Sequence, residues 1–179
     1  MPSTTQLESP VGVLTLLAED GTLTGLYMER QRYAPSRDDT WREDRSVLAL
    51  VVEELEAYFA RELTEFTAKV KGRGTRFQLE VWHQLSQIPY GTTISYGELA
   101  KRVNRPGAAR AVGSANGHNP VGIIVPCHRV IGADGSLTGY GGGLPRKTWL
   151  LAHESGSLFP EAMAVHDSPA AVRVARPTS

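Results

Sequence analysis

Over its first thirty residues the chain alternates apolar and polar positions, and then the period changes. Residues 12–18 and 23–28 are rich in Leu, Val, Thr and Tyr, the composition of half-buried strands. Between them Glu19-Asp20-Gly21-Thr22 carries an Asp-Gly pair, favoured in two-residue hairpins because both central positions need positive φ. Residues 4–8 form a third strand, stopped by Ser9-Pro10. Residues 30–45 are charged, contain Pro35 and predict a long loop. From Ser46 the period becomes helical, with Val47, Val51, Leu55 and Tyr58 on one face and Leu48 and Phe59 alongside. The pattern predicts a small antiparallel sheet covered by one helix, and nothing in it suggests chemistry.

Gly72-Arg73-Gly74 marks a domain boundary. The reading is an N-terminal α/β domain over residues 1–72, without catalytic residues, and a mainly helical domain over 73–157. After the boundary, Thr75-Arg76-Phe77-Gln78 fits a capping box, and Phe77, Val81, Leu85 and Ile88 form an apolar stripe. Pro89-Tyr90-Gly91 ends that helix. Ser95-Tyr96-Gly97-Glu98 is a second capping-box pattern, opening a short helix to about Val103. Asn104-Arg105-Pro106-Gly107 makes a tight turn and residues 108–117 another helix, so the pair fits a helix-turn-helix. Gly139-Tyr140-Gly141-Gly142-Gly143 reads as a flexible loop. Pro145 suits the first position of a last helix that runs to about Glu154 and stops near Gly156. Residues 158–179, with Pro160, Pro169 and Pro177, read as a poorly ordered tail. The fold class is α+β.

Composition narrows the setting. At 179 residues, with 41% hydrophobic and 21% charged residues, the chain can bury a real core. No basic region followed by an apolar stretch opens it, and no apolar run approaches the roughly 20 residues that span a bilayer. One cysteine forbids an internal disulfide and a Cys-rich metal cluster. A soluble cytoplasmic protein with a reduced thiol is expected. The net charge of zero hides an asymmetry: residues 1–74 hold 9 Lys/Arg against 13 Asp/Glu, and residues 75–154 hold 8 against 4. A basic second half points weakly to a polyanionic partner, although ordinary solvated surfaces scatter this way too.

The single thiol is Cys127, in Pro126-Cys127-His128-Arg129-Val130. A lone Cys in such a domain is often an apolar filler. As a nucleophile it needs a base or positive charge nearby, and His128 and Arg129 follow it directly. The apolar run over residues 121–125 reads as extended. Neighbours in an extended segment point to opposite faces, so Cys127 and His128 need a bridging water or a turn to exchange a proton. Glu154 stands in the last turn of a helix, where a carboxylate opposes the macrodipole. Either a partner such as a histidine compensates it, or it is a surface residue near a fraying end.

The helix over residues 108–117 is small-sided, with one long cation, Arg110. Tight internal packing explains that. So does docking in a DNA minor groove, which is only about 6 Å wide, with Arg110 as a wedge. The loop around Tyr140 lacks the Lys-Ser/Thr of a phosphate loop and reads as a pocket wall. Tyr96 is either a core aromatic or a pocket hydroxyl. Trp41, Trp82 and Trp149 read as core, and His83, His118, His153 and His166 show no metal-ligand spacing.

These pieces resemble the O6-alkylguanine-DNA alkyltransferases, the methylated-DNA–protein-cysteine methyltransferases. The likeness runs through Phe77-Gln78, Val81-Trp82, Ile88-Pro89-Tyr90-Gly91, Ser95-Tyr96-Gly97, Ala108-Ala109-Arg110-Ala111-Val112-Gly113, Asn119-Pro120, the Pro-Cys-His-Arg-Val core, Gly139-Tyr140 and Glu154. Ser9-Pro10-Val11-Gly12 also looks like the family. The resemblance implies a ribonuclease H-like N-terminal domain and direct-reversal repair of double-stranded DNA. Cys127 would take the alkyl group from guanine O6, or from thymine O4, after base flipping. His128 would act as base through a water, oriented by Glu154. Asn119 would brace the turn to the active-site segment, and Tyr96 would help protonate the departing guanine. Val130, Tyr140 and Gly141 would line the guanine pocket. Arg110 would fill the gap in the duplex while Ala108, Ala109 and Gly113 let the helix lie in the minor groove.

Departures from the family matter too. No Cys or His precedes His83, so the N-terminal zinc of some relatives is not expected, and no cofactor is required. The resemblance suggests a monomer in solution, with cooperative binding on DNA left open. A thioether is a poor leaving group and no second Cys could resolve it, so each molecule should act once. Two rivals stay open at this point. A Cys-His-Glu hydrolase would turn over repeatedly, and a helix-turn-helix regulator would use Cys127 as a redox sensor.

Overall fold

The computed structural model describes residues 1–156, and the tail read over residues 158–179 lies outside the described residues. Three strands, β1 (Ser3–Ser9), β2 (Gly12–Glu19) and β3 (Thr22–Met28), form an antiparallel meander. The Asp-Gly hairpin is present, with φ of +50° at Asp20 and +74° at Gly21, as a turn matched to strand twist requires. The loop that follows carries an unforeseen edge strand, β4 (Arg42–Glu43), parallel to β1. Backbone bonds build it, Arg42 N–H to the Pro2 carbonyl and Asp44 N–H to the Thr4 carbonyl. Side-chain pattern gives no warning of such a strand.

Helix α1 (Ala49–Phe59) begins three residues later than Ser46. The Asp44 carboxylate accepts from the Ser46 and Val47 amides and holds that stretch in a turn. Val47, placed in the apolar stripe by spacing, is therefore 43% exposed. Trp41 is not a core residue either: it is half-buried and lines a surface groove with Tyr27 and Arg37.

The second half is built from local signals. Helix α2 (Arg76–Leu85) starts with the full Thr75/Gln78 capping box. Gly72 and Gly74 precede it because a Cβ at either would press on the Trp82 ring. β5 (Ile94–Ser95) leads into α3 (Tyr96–Arg102), capped by the Ser95 hydroxyl, and α4 (Ala109–Gly117) follows across the turn. Asn104 and Gly107 in that turn both have positive φ. β6 (Val130–Ile131) pairs parallel with β5. α5 (Leu144–Glu154) takes Pro145 at its second position, since Gly143, at φ +90°, supplies the N-cap. Among the described residues no helix is long and apolar enough to cross a membrane.

One core joins both halves: Leu14, Leu16, Leu26 and Tyr58 share it with Val81, Leu99, Val121 and Leu150. The edge of β3 is also closed by the second half. Leu26 donates to the Pro120 carbonyl at 2.8 Å, and Gly122 donates back to Leu26. The sheet thus hydrogen-bonds to the segment that leads to Cys127.

Candidate active site

The run over residues 121–125 is not extended. Asn119 folds it into a turn: its Oδ1 accepts from Val121 N–H at 3.0 Å and its Nδ2 donates to the Val125 carbonyl at 2.8 Å. The Val125 amide closes back on the Val121 carbonyl, and Ile123 sits at φ +70°. A β-branched residue there costs about 1–3 kcal/mol, so the surroundings must enforce it. Cys127–Arg129 then form a single 3-10 turn. Strand alternation does not apply to Cys127 and His128, because a buried side-chain amide replaced the backbone partners that a strand would need.

Three side chains converge on Glu154, which is 6% exposed. His128 Nε2 lies 2.9 Å from Oε2. Arg129 spans the carboxylate as a fork, Nε to Oε1 at 2.7 Å and Nη2 to Oε2 at 2.8 Å. The Tyr58 hydroxyl donates to Oε2 at 2.8 Å. Burial alone would raise the Glu154 carboxyl, but the charge of His128 and the bonds from Arg129 hold it far below the usual range. An ionised carboxylate only accepts, so Nε2 of His128 is the donor to it, and in the neutral ring Nδ1 is the nitrogen left to accept. That Nδ1 is buried and bonds to no described protein atom. Glu154 is therefore no surface residue. Its helix-end position is compensated by Arg129 and Tyr58 as well as by His128.

At the other side of the turn, burial pushes the Cys127 thiol up. Donation from the Asn119 side chain, the charge of Lys147 and the amides of Cys127 and His128 pull it back. Lys147 was not anticipated. It is fully buried, donates to the Thr138 carbonyl at 3.2 Å and stands 5.8 Å over the Tyr96 ring. Burial lowers its pKa to about 8, against the pull of Cys127. The Tyr96 hydroxyl donates to the same Thr138 carbonyl at 2.8 Å. Burial raises the Tyr96 and Tyr140 phenols, and a charge on Cys127 adds to both shifts. Both rings therefore lie within electrostatic reach of the sulfur.

The glycine loop is tied to the N-terminal half. The Gly141 carbonyl accepts from the Arg32 amide at 2.8 Å, and a Cβ at Gly142 would overlap the Met28 sulfur. Arg146, buried below it, donates to the carbonyls of Val11, Glu29 and Gly142. Val130 is buried in β6.

On α4, Val112, Ala115 and Asn116 face inward, Ala108, Ala109 and Gly113 are half-buried, and Arg110 is exposed. A Cβ at Gly113 would meet the Tyr96 ring at 3.6 Å, an ordinary van der Waals contact, so α4 passes close over that ring. The Trp82 indole N–H donates to the Ala115 carbonyl at 2.8 Å. The Asn116 amide donates to the Cys127 carbonyl at 3.3 Å. The structure gathers Cys127, His128, Glu154, Asn119, Tyr96 and Tyr140 around one turn and leaves Arg110 outside it. Tyr58 and Lys147 are the residues that sequence reasoning missed, and neither had a signal. Arg129, read as a positive charge beside Cys127, is spent on Glu154 instead.

Comparison with known proteins follows the same division. Residues 4–71 match the family model of the 6-O-methylguanine DNA methyltransferase ribonuclease-like domain, and residues 76–156 that of its DNA-binding domain. The methylated-DNA–protein-cysteine methyltransferase of Mycolicibacterium paratuberculosis is 59% identical over 148 residues, covering 83% of this chain and 89% of that one. The protein of the same name from Methanosarcina acetivorans is 46% identical, covering 82% and 94%. A crystal structure of Mycobacterium tuberculosis OGT in complex with DNA superposes with a TM-score of 0.81 at 52% identity, over 86% of this chain and 93% of that chain.

Proposed function

The chain belongs to the methylated-DNA–protein-cysteine methyltransferase family, and on that footing we propose that Cys127 is the atom that its DNA repair consumes. The protein binds DNA and transfers the alkyl group of a damaged guanine to a cysteine, and Cys127 is the only cysteine it has. The observation that carries the assignment is the relay behind the thiol. Glu154, held ionised, fixes the Nε2 proton of His128 and leaves Nδ1 to accept.

In the proposed step the Cys127 proton passes through a water to His128 Nδ1. The sulfur attacks the alkyl carbon, the S–C bond forms, and the C–O6 bond breaks. Guanine leaves with the electron pair and takes up one proton from the Tyr96 hydroxyl on the base's edge; the imidazolium gives its proton to solvent and the phenolate regains one from solvent, so no net proton is lost. The Lys147 charge favours the thiolate in a site that burial otherwise keeps as thiol. The Cys127 and Val130 backbones, the Tyr140 ring and Gly141 line the guanine pocket. Thymine O4 presents the same alkyl-oxygen chemistry and would react by the same route.

Residues 1–72 support the site, and residues 73–157 bind DNA and accept the alkyl group. The slim α4 enters the minor groove on Ala108, Ala109 and Gly113, with Arg110 replacing the extruded base. Flipping costs about a few kcal/mol, which a wedge offsets. The protein acts as a monomer, once per molecule, in the cytoplasm, where DNA and reducing conditions coincide.

The test is a duplex carrying one O6-methylguanine with a labelled methyl group. Wild type should end with one label per chain and Cys127→Ala with none. Unlabelled wild type, or product rising beyond one per chain, would sink the proposal. Continued turnover would favour a Cys-His-Glu hydrolase instead.

A further inference from the structure

We infer that Tyr58, from the half of the chain that carries no other group of the reaction, is a positioning residue that sets how strongly Glu154 holds His128. The inference rests on the reading of Cys127, His128 and Glu154 given above. Tyr58 is fully buried on α1, and its hydroxyl donates at 2.8 Å to Oε2, the oxygen that His128 Nε2 also uses. The bond spans 96 residues of sequence. A phenol used only as filler would not be placed with its one donor on the relay's carboxylate, since a phenylalanine fills the same space.

The surroundings fix that phenol. The Tyr58 ring stands edge-on to Tyr90 at 6.1 Å and lies against His153 at 5.1 Å. His153 Nε2 lies 2.8 Å from the Tyr58 carbonyl. The charged and titratable groups acting on the hydroxyl are Glu154 from α5, Arg129 from the 3-10 turn and Tyr90 from the loop after α2; His128 shares Oε2 with it, and Arg61 acts on Tyr90 and His153.

Arg129 Nη2 reaches the same oxygen, so three donors share it and compete. The Tyr58 hydrogen bond draws charge from Oε2, so less remains to stabilise an imidazolium when His128 takes the Cys127 proton. Removing the hydroxyl concentrates that charge and strengthens the hold on a protonated ring. The relay then stays protonated to higher pH. A stronger phenolic donor does the reverse.

The experiment measures single-turnover rates against pH, with free O6-benzylguanine as substrate so that DNA binding does not enter. Tyr58→Phe should move the acid limb of the profile upward by about half a pH unit, the scale of one buried hydrogen bond. It should still end at one benzyl group per chain. Fluorotyrosine incorporated at position 58 keeps the ring and strengthens the donor, and should move the limb the opposite way. Limbs that stay in place for both proteins, with only the plateau lowered, would overturn the inference and leave Tyr58 a packing residue. If Tyr58→Phe fails to fold, the fluorotyrosine shift alone decides. Wild type that accepts no benzyl group is a separate outcome, which removes the reading of Cys127 itself.

Discussion

The Glu154 hub and helix α4 lie in the same half of the molecule and obey opposite rules. Around Glu154 the polar groups are spent on one another: Arg129 as a fork, the Tyr58 hydroxyl and the His128 Nε2 proton all meet one buried carboxylate. On α4 the outward residues are Arg110, Ala111 and Ser114, and Arg110 makes no hydrogen bond or ion pair among the described residues. The hub is finished before substrate arrives, which is what a base needs if its geometry is to survive burial. The helix is unfinished, which is what a surface needs if DNA is to complete it. Asn116 joins them, lying on α4 while donating to the Cys127 carbonyl.

Removing the hub's anion should have the largest effect. Glu154→Gln leaves the Arg129 charge buried without a counter-ion and should cost about 3–5 kcal/mol of stability, measured by urea unfolding at pH 7. The rate with free benzylguanine should fall as well. The pH dependence has a definite sign. The folded carboxyl lies far below its ordinary 4.5, so its contribution is complete above that value and drains as pH falls toward the folded one. The stability gap between wild type and Glu154→Gln should be widest near neutrality and close in acid. A gap that persists unchanged at low pH would mean that the hub is held by shape and not by charge.

The same contrast explains what could be read in the sequence. Signals that act within a few residues were legible: the Asp20-Gly21 hairpin, the Thr75/Gln78 and Ser95 caps, and the stripe of Val81 and Leu85. So was α4 as a helix of small side chains, because that character lies in its own residues. The hub was half legible. His128 and Glu154 follow from the motif and from the odd helix-end carboxylate, but the donors gathered on Glu154 include Tyr58, which helical spacing marks only as an apolar face. The run over residues 121–125 reads as extended, yet it turns because Asn119 replaces backbone partners with a side-chain amide, and no periodicity reports that. Lys147 was hidden for a related reason: in a helix rich in apolar residues, one lysine looks like a solvent-facing position until the loop over residues 138–143 is folded above it.

A smaller effect should separate the helix from the hub. On the wedge role proposed for Arg110, Arg110→Ala should slow repair of O6-methylguanine in duplex DNA by on the order of tenfold to a hundredfold, by removing part of what offsets the cost of flipping. Reaction with free O6-benzylguanine should hardly change, because no base has to leave a stack. Both rates are read by the same single-turnover assay. Equal losses on the two substrates would place Arg110 in the reaction and erase the division drawn here.

The smallest effect is predicted at Lys147, which belongs to neither region and acts by charge on the thiol between them. Below about pH 8 its ammonium is present and favours the Cys127 thiolate against burial. Lys147→Met keeps the length and apolar body of the side chain and removes the charge. The free-base reaction should therefore slow by less than about tenfold at pH 7, one pKa unit being worth one tenfold step in thiolate. As pH rises past 8 the wild-type lysine gives up its own proton, so the two proteins should converge. Thr138 loses a donor in the variant but keeps the Tyr96 hydroxyl, so the loop retains one tie. A rate ratio that stays constant from neutral pH into the alkaline range would assign Lys147 to packing alone. It would leave the thiol to be activated wholly from the hub's side.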